Sequence, residues 1–118
     1  MAFSLAIEAH APASVLRCCG YVDIEAARQI RAQIQKLQQQ GKRIFILDFS
    51  QTPVVNSAAL GELIEVVSRA LEEPELRFLV SGLAPTCQSS FRIVGIFHCA
   101  AEFSDVAEAL ASLTPVKR

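Results

Sequence analysis

The stretch that decides the fold is residues 44–61, which read IFILDFSQTPVVNSAALG. Its first part is an almost continuous apolar run with β-branched and aromatic side chains, and this predicts a strand buried on both faces of a parallel sheet. Pro53 marks the end of that strand, because proline cannot donate a ladder hydrogen bond. Asn56 is a good N-cap, so Ser57 falls in the first turn of the next helix, beside backbone N–H groups with no helical acceptor.

The helix that follows carries one apolar stripe at helical spacing, formed by Leu60, Leu63, Ile64, Val67 and Leu71. We expect the first four of these side chains to face the sheet. Their predicted packing partners are three apolar strand residues, Ile44, Ile46 and Leu79. This stretch therefore predicts a strand, a loop and a helix that lies back on the sheet.

Outward from this stretch, apolar strands alternate with amphipathic helices. Residues 3–9 and 14–19 are joined by a short link and predict an antiparallel hairpin. The remaining predicted elements are a helix at 24–40 with Asp23 as its N-cap, a strand at 76–80, a short helix at 85–94, a strand at 96–99, and a terminal helix marked by Phe103, Val106, Leu110 and Leu113 with Ser104 or Asp105 as its cap. We expect residues 114–118 to fray. This alternation predicts a single α/β domain over residues 1–118, with a partly parallel sheet.

Two motifs in this order resemble those of STAS domains, the family that includes the bacterial anti-sigma factor antagonists. One is Asp48-Phe49-Ser50, a short loop and then Asn56-Ser57-Ala58-Ala59-Leu60-Gly61; the other is Gly20-Tyr21-Val22-Asp23 before the first helix. The resemblance covers about Ser14 to Leu113. It implies the STAS fold, a mixed sheet with an opening hairpin, covered by about four helices. In the family the second helix opens with Asp-Ser-Ser-Gly or Asp-Ser-Thr-Gly, so Asn56, Ala58 and Ala59 depart from the usual pattern.

The resemblance also implies a function and a site. Ser57 corresponds to the serine that is phosphorylated in the family. The implied function is a regulatory binding module whose unmodified form binds a serine-kinase anti-sigma factor and frees a sigma factor, and a serine phosphatase then resets Ser57. The implied partner-binding residues are Asp23, Asn56, Ser57, Ala58 and Glu62. The alternative is an unswitched STAS scaffold that binds a protein assembly or a small ligand, and the three departures from the motif favour it.

Ser57 also has a purely structural interpretation, because serine in a first helical turn often satisfies free N–H groups. If Ser57 is phosphorylated, the modification adds about −1.5 to −2 charges. A helix N-terminus, with its partial positive charge and free donors, tolerates that anion well. The sequence therefore predicts a switch of partners and not a change of fold.

Motifs for catalysis, cofactors and metals are missing from the sequence. It contains neither a Gly-x-Gly-x-x-Gly nor a P-loop. Ser57, His98 and Asp48 could be written as a triad, but Ser57 does not lie in a Gly-x-Ser-x-Gly elbow. Asp48, at the end of a strand, is expected to bind loop N–H groups. The four cysteines contain no Cys-x-x-Cys pair, so we expect reduced thiols, no bound metal, no cofactor and no enzymatic activity.

Composition and charge limit the class of protein. The chain has 118 residues, 52% of them hydrophobic, and a net charge of −1 with both signs interspersed. We therefore expect one well-filled core and no nucleic-acid partner. No apolar run approaches the roughly 20 residues of a membrane helix, and residues 1–8 do not resemble a signal peptide. These features predict a soluble cytoplasmic protein that does not bind membranes, and we expect a monomer or a weak dimer.

Overall fold

The computed structural model describes residues 2–114, which form a five-stranded sheet with helices on both faces. The strands are β1 (Ser4–His10), β2 (Ala13–Cys19), β3 (Ile44–Gln51), β4 (Arg77–Ser81) and β5 (Ala100–Phe103). The α-helices are α1 (Ile24–Gln39), α2 (Ser57–Ser68), α3 (Pro85–Val94) and α4 (Val106–Ser112), and short 3₁₀ turns lie at Arg69–Leu71 and Ile96–His98. None of these helices has the length and apolar character needed to cross a membrane.

The sheet is mixed, and its strands follow one another in chain order, β1-β2-β3-β4-β5. β1 and β2 pair antiparallel as the opening hairpin, and the other neighbours pair parallel. The predicted α/β architecture, with a hairpin, a mixed sheet and four helices, is confirmed. β3 is the central strand of the sheet, and its C-terminal end delivers the chain to the start of α2.

Three helices begin at the side-chain caps that the sequence predicts. The Oδ1 atoms of Asp23, Asn56 and Asp105 accept hydrogen bonds from the backbone N–H groups three residues on, at 2.9, 2.9 and 2.8 Å. Each bond satisfies a donor that the helix leaves free, which is worth about 1 kcal/mol. The caps therefore fix where α1, α2 and α4 leave their preceding loops.

Two hydrophobic cores lie on opposite faces of the sheet. The larger contains α1, α2 and α3 with Phe45, Leu47, Phe78 and Val80. The smaller contains α4 with Ile46 and Leu79. Because side chains alternate along a strand, β3 and β4 supply both cores.

The prediction that α2 packs on Ile44, Ile46 and Leu79 is wrong. These side chains belong to the face covered by α4, and α2 packs on the alternate positions of the same strands. The prediction for the helix itself is largely confirmed, because Leu60, Leu63 and Val67 are buried and Ile64 is partly buried. Leu71 lies beyond α2 in a 3₁₀ turn and is 71% exposed, so it does not extend the stripe.

The last strand is also displaced from its predicted position. Residues 96–98 form a 3₁₀ turn, closed by bonds from His98 N to Gly95 O and from Cys99 N to Ile96 O. Gly95 ends α3 with a φ of 82°, a conformation that favours glycine, and the chain reaches the sheet only at Ala100. Phe103, predicted in the last helix, lies in β5. The expectation for the C-terminal end reaches residues 115–118, which lie outside the described residues.

Candidate functional site

Ser57 is the first residue of α2 and is exposed at the C-terminal edge of the sheet. The Asn56 side chain satisfies the N–H of Ala59, and the Asn56 carbonyl accepts the N–H of Leu60 at 2.9 Å. Within residues 2–114, the N–H groups of Ser57 and Ala58 have no hydrogen-bond acceptor. The helix therefore opens with two free donors beside an exposed hydroxyl group, an arrangement that suits an anion.

The loop before α2 is tied to the loop before α1. Val22 and Val55 form a parallel bridge, in which Val22 N donates to Val54 O at 2.9 Å and Asn56 N donates to Val22 O at 3.1 Å. This bridge places the start of α1, with Asp23 at its cap, beside the start of α2. Four of the five predicted partner-binding residues, Asp23, Asn56, Ser57 and Ala58, are thus brought to one edge of the molecule.

Glu62, the fifth predicted contact residue, lies one turn further along α2 and points toward α1. Its carboxylate accepts a bond from Arg31 at 2.7 Å, and the Glu62 side chain is only 15% exposed. The hydrogen bond to Glu62 raises the pKa of Arg31, and the charge of Glu65 adds a smaller contribution. Glu62 therefore links α2 to α1, and a partner could contact only the small exposed part of its side chain.

Asp48 is buried at the end of β3, where its carboxylate holds the strand ends together. It accepts bonds from the Ser50 hydroxyl at 2.9 Å and the Ser50 N–H at 3.3 Å, as predicted for a loop-binding carboxylate. It also accepts bonds from Arg17 at 3.2 Å and from the Ser81 hydroxyl at 3.1 Å. A buried carboxylate with four donors is a structural group. These bonds fix the C-terminal end of β3, from which the loop to α2 and Ser57 starts.

The residues of the hypothetical triad do not come together. His98 lies in the turn before β5, at the edge where parallel strands β4 and β5 begin, whereas Ser57 follows the end where β3 finishes. The Asp48 carboxylate is occupied by arginine and serine donors. Ser57, His98 and Asp48 therefore do not form the hydrogen-bonded series that a catalytic triad requires.

Exposed apolar side chains near Ser57 were missed by the sequence analysis. Tyr21 is 42% exposed and Val54 is 44% exposed, and both lie in the paired loops before α1 and α2. Beside them, a shallow notch of about 280 Å³ is lined by Val54, Val55, Thr86, Cys87 and Ser90. Sequence periodicity could not reveal this exposure, because these loop residues belong to no helical or strand pattern.

Gly61 lies one turn after Ser57 on the exposed side of α2. A Cβ atom at this position would meet no atom within 4 Å, so packing does not require glycine. Glycine in a helix costs about 1 kcal/mol relative to alanine. The missing side chain leaves the backbone of α2 open to close approach.

Comparison with known proteins decides the family. A profile of the STAS domain matches residues 4–109. The chain belongs to the STAS domain family. Its fold also matches two structures of the anti-sigma factor antagonist SpoIIAA at 25% sequence identity. For the unphosphorylated form the TM-score is 0.69, with 94% of this chain and 96% of that chain covered. For the phosphorylated form, from Bacillus, the TM-score is 0.70, with 96% and 100% covered.

The STAS fold also occurs in a sulfate transporter family protein from Wolinella succinogenes. That structure matches with a TM-score of 0.74 at 17% identity, and the match covers 89% of this chain and 87% of that chain. At this identity the match shows the fold alone. No match is found among curated protein sequences. Function within the STAS family therefore has to be argued from the residues around Ser57.

Proposed function

We propose that this STAS domain is an anti-sigma factor antagonist that presents the start of α2 to its partner, and that phosphorylation of Ser57 controls the contact. One observation carries the proposal: Ser57 is exposed at the first position of α2, beside two N–H groups without an acceptor in the described part of the chain. A kinase can reach this hydroxyl, and the helix can accommodate the resulting anion.

The proposed partners are a serine-kinase anti-sigma factor and a serine phosphatase. The unmodified domain binds the anti-sigma factor and releases a sigma factor, and the phosphorylated domain does not bind. Asp23, Asn56, Ser57 and Ala58 form the proposed contact, with Glu62 at its margin. Because sigma factors act on transcription, the proposal places the protein in the bacterial cytoplasm, as a monomer or a weak dimer.

The departures from the family motif differ in their consequences. Ala59 is fully buried, so its methyl group fills the core and does not change the surface. Asn56 still caps α2, although it lacks the negative charge of aspartate. Ala58 is exposed and lacks the usual hydroxyl group. Only Asn56 and Ala58 therefore alter what a kinase would meet.

A switch at Ser57 does not require refolding. Thr52 Oγ1 donates to Cys18 O at 3.0 Å and Gly20 N donates to Gln51 O at 2.9 Å, so the loop is tied to β2 independently of Ser57. The phosphorylated and unphosphorylated forms of SpoIIAA match this fold equally well, with TM-scores of 0.70 and 0.69. Phosphorylation would therefore act on the partner, by adding a charge that must be desolvated on contact.

Intact-mass spectrometry tests the modification. The protein is incubated with Mg-ATP and each serine-kinase anti-sigma factor of its source organism. We expect the mass of one phosphoryl group to be added to the natural protein and to Ser89→Ala, a control that changes an exposed serine of α3. Ser57→Ala should gain no mass. Equal labelling of Ser57→Ala would disprove the assignment of the site.

The second candidate is the unswitched scaffold, which binds an assembly or a small ligand without modification. The uncharged motif residues Asn56 and Ala58 favour it, and the Wolinella protein shows that the fold is not restricted to anti-sigma factor antagonists. Two results together would favour this candidate. No kinase would label Ser57, and Ser57→Glu would bind the anti-sigma factor as well as the natural protein does.

A further inference from the structure

A polar groove lies at the opposite end of α2 from Ser57. Its volume is about 440 Å³, and it is lined by Arg31, Gln35, Gln38, Gln39, Arg43, Arg69 and Glu73. We call it the α1–α2 groove, since most of these residues come from α1 and from the chain that follows α2. The volume lies within the range of about 300–1,000 Å³ for small-molecule sites. Because α2 has 12 residues, the groove is about 18 Å from Ser57 along the helix axis.

Gln38 holds two of the arginines in place. Its backbone carbonyl accepts a bond from Arg43 Nη1 at 3.1 Å, and its side-chain Oε1 accepts a bond from Arg69 Nη1 at 2.8 Å. Arg43 Nη1 also donates to Lys42 O at 2.8 Å, and Arg69 Nη2 donates to Glu73 at 3.2 Å. The two guanidinium groups are thus oriented before any ligand arrives, and this lowers the entropy cost of binding.

Arg43 differs from the other two arginines in its charge balance. Arg31 forms ion pairs with Glu62 and Glu65, and Arg69 forms one with Glu73. Arg43 forms no ion pair within residues 2–114, where Nη1 donates to two backbone carbonyls, those of Gln38 and Lys42. Its Nε and Nη2 donors remain available as a parallel pair. That fork matches two oxygens of a phosphate or carboxylate group.

We propose that the α1–α2 groove binds a phosphate-bearing small molecule, with the free Nε–Nη2 fork of Arg43 binding the phosphate and Gln35 and Gln39 contacting a polar remainder. All seven lining residues are polar or charged, which favours a polar ligand. The amide side chains supply both donors and acceptors, which suit hydroxyl groups. This site is separate from the proposed partner contact at Ser57 and does not depend on it.

Titrations followed by amide chemical shifts test the proposal. The probes are inorganic pyrophosphate, glycerol 3-phosphate and citrate, and the first two distinguish free phosphate from a phosphate ester. We expect saturable shifts in the groove with at least one phosphate probe, and weaker binding of citrate. Failure of both phosphate probes to saturate by about 10 mM would overturn the proposal, since it would mean a dissociation constant weaker than about 1 mM. Tighter binding of citrate would overturn the choice of phosphate.

Variants of Arg43 show whether the guanidinium fork is responsible. Arg43→Gln should weaken binding of the phosphate probe about tenfold or more, because a charged bidentate contact is lost. Arg43→Lys keeps the charge but not the fork, so we expect an intermediate loss. Arg92→Gln removes an exposed arginine of α3 and should leave binding unchanged. Unchanged affinity in Arg43→Gln, with the fold intact by the same spectra, would contradict the proposal.

Discussion

At the first turn of α2, single side chains decide both the start of the helix and the character of the surface. Asn56 caps the helix, the N–H groups of Ser57 and Ala58 have no acceptor among residues 2–114, and Val54 adds an exposed apolar side chain. The cap and the position of Ser57 could be predicted from sequence, because a capping interaction spans only three residues. The bond of Asp48 to the Ser50 N–H could also be predicted, but its bonds to Arg17 and Ser81 could not, since these residues are 31 and 33 positions away in the chain.

Two substitutions at Ser57 should separate helix stability from partner affinity. Ser57→Ala removes an exposed hydroxyl group, so the fold should persist and binding of the anti-sigma factor should become permanent. Ser57→Glu places a carboxylate at the helix N-terminus and should stabilise α2 by about 0.3–1 kcal/mol, yet weaken binding. Thermal unfolding and titration calorimetry measure the two effects. If both variants bind as the natural protein does, Ser57 is only a helix-start residue.

Gly61→Ala offers a second test at the same surface. The space around Gly61 is open, so the added methyl group should stabilise the protein by up to about 1 kcal/mol. If the partner backbone approaches α2 here, the same methyl group should weaken binding. A variant that is more stable and binds equally well would show that the partner does not contact this turn.

At the level of elements, the buried face of α2 depends on alternation in the strands below it. Leu63 is fully buried in the larger core with Phe45 and Phe78. Sequence periodicity identified this helix face correctly, but it could not say which face of the strand the helix would cover, because β3 carries apolar residues on both faces. β5 was misplaced for a related reason, because its short sequence Ala-Ala-Glu-Phe carries a weaker apolar pattern than the turn before it.

Leu63→Ala should lower the free energy of unfolding by about 2–5 kcal/mol, because it leaves a cavity in the core. Leu71→Ala is the matched control, since Leu71 is 71% exposed, and its effect should be below about 0.5 kcal/mol. Urea unfolding measures both. Equal losses in the two variants would mean that α2 does not pack as described.

The opening hairpin should respond to acid through Glu8. Arg17 donates two bonds to the Glu8 carboxylate, and these bonds, followed by the bond from His10, lower the pKa of Glu8 below its usual 4.5. Because the folded-state pKa is the lower one, this stabilisation is present above pH 4.5 and is lost as the pH falls through the folded value. Glu8→Gln should therefore lose less thermal stability than the natural protein does as the pH falls below 4.5. An identical acid profile would exclude Glu8 as a contributor.

At the scale of the whole molecule, two different surfaces lie at the two ends of α2: the sheet edge that contains Ser57, and the α1–α2 groove. The edge combines Ser57 with exposed apolar side chains, and the groove combines arginines with amides. The order of elements and the family could be predicted from the sequence. The groove could not, because its lining residues become neighbours only when α1 packs against the end of α2.

The central claim is that phosphorylation of Ser57 abolishes partner binding without changing the fold. The most direct measurement is calorimetric titration of one serine-kinase anti-sigma factor with the unmodified protein and with the protein phosphorylated at Ser57, with circular dichroism recorded for both. We predict unchanged spectra and an affinity at least about tenfold lower for the phosphorylated form, a difference of about 1.4 kcal/mol. Equal affinities would contradict the account.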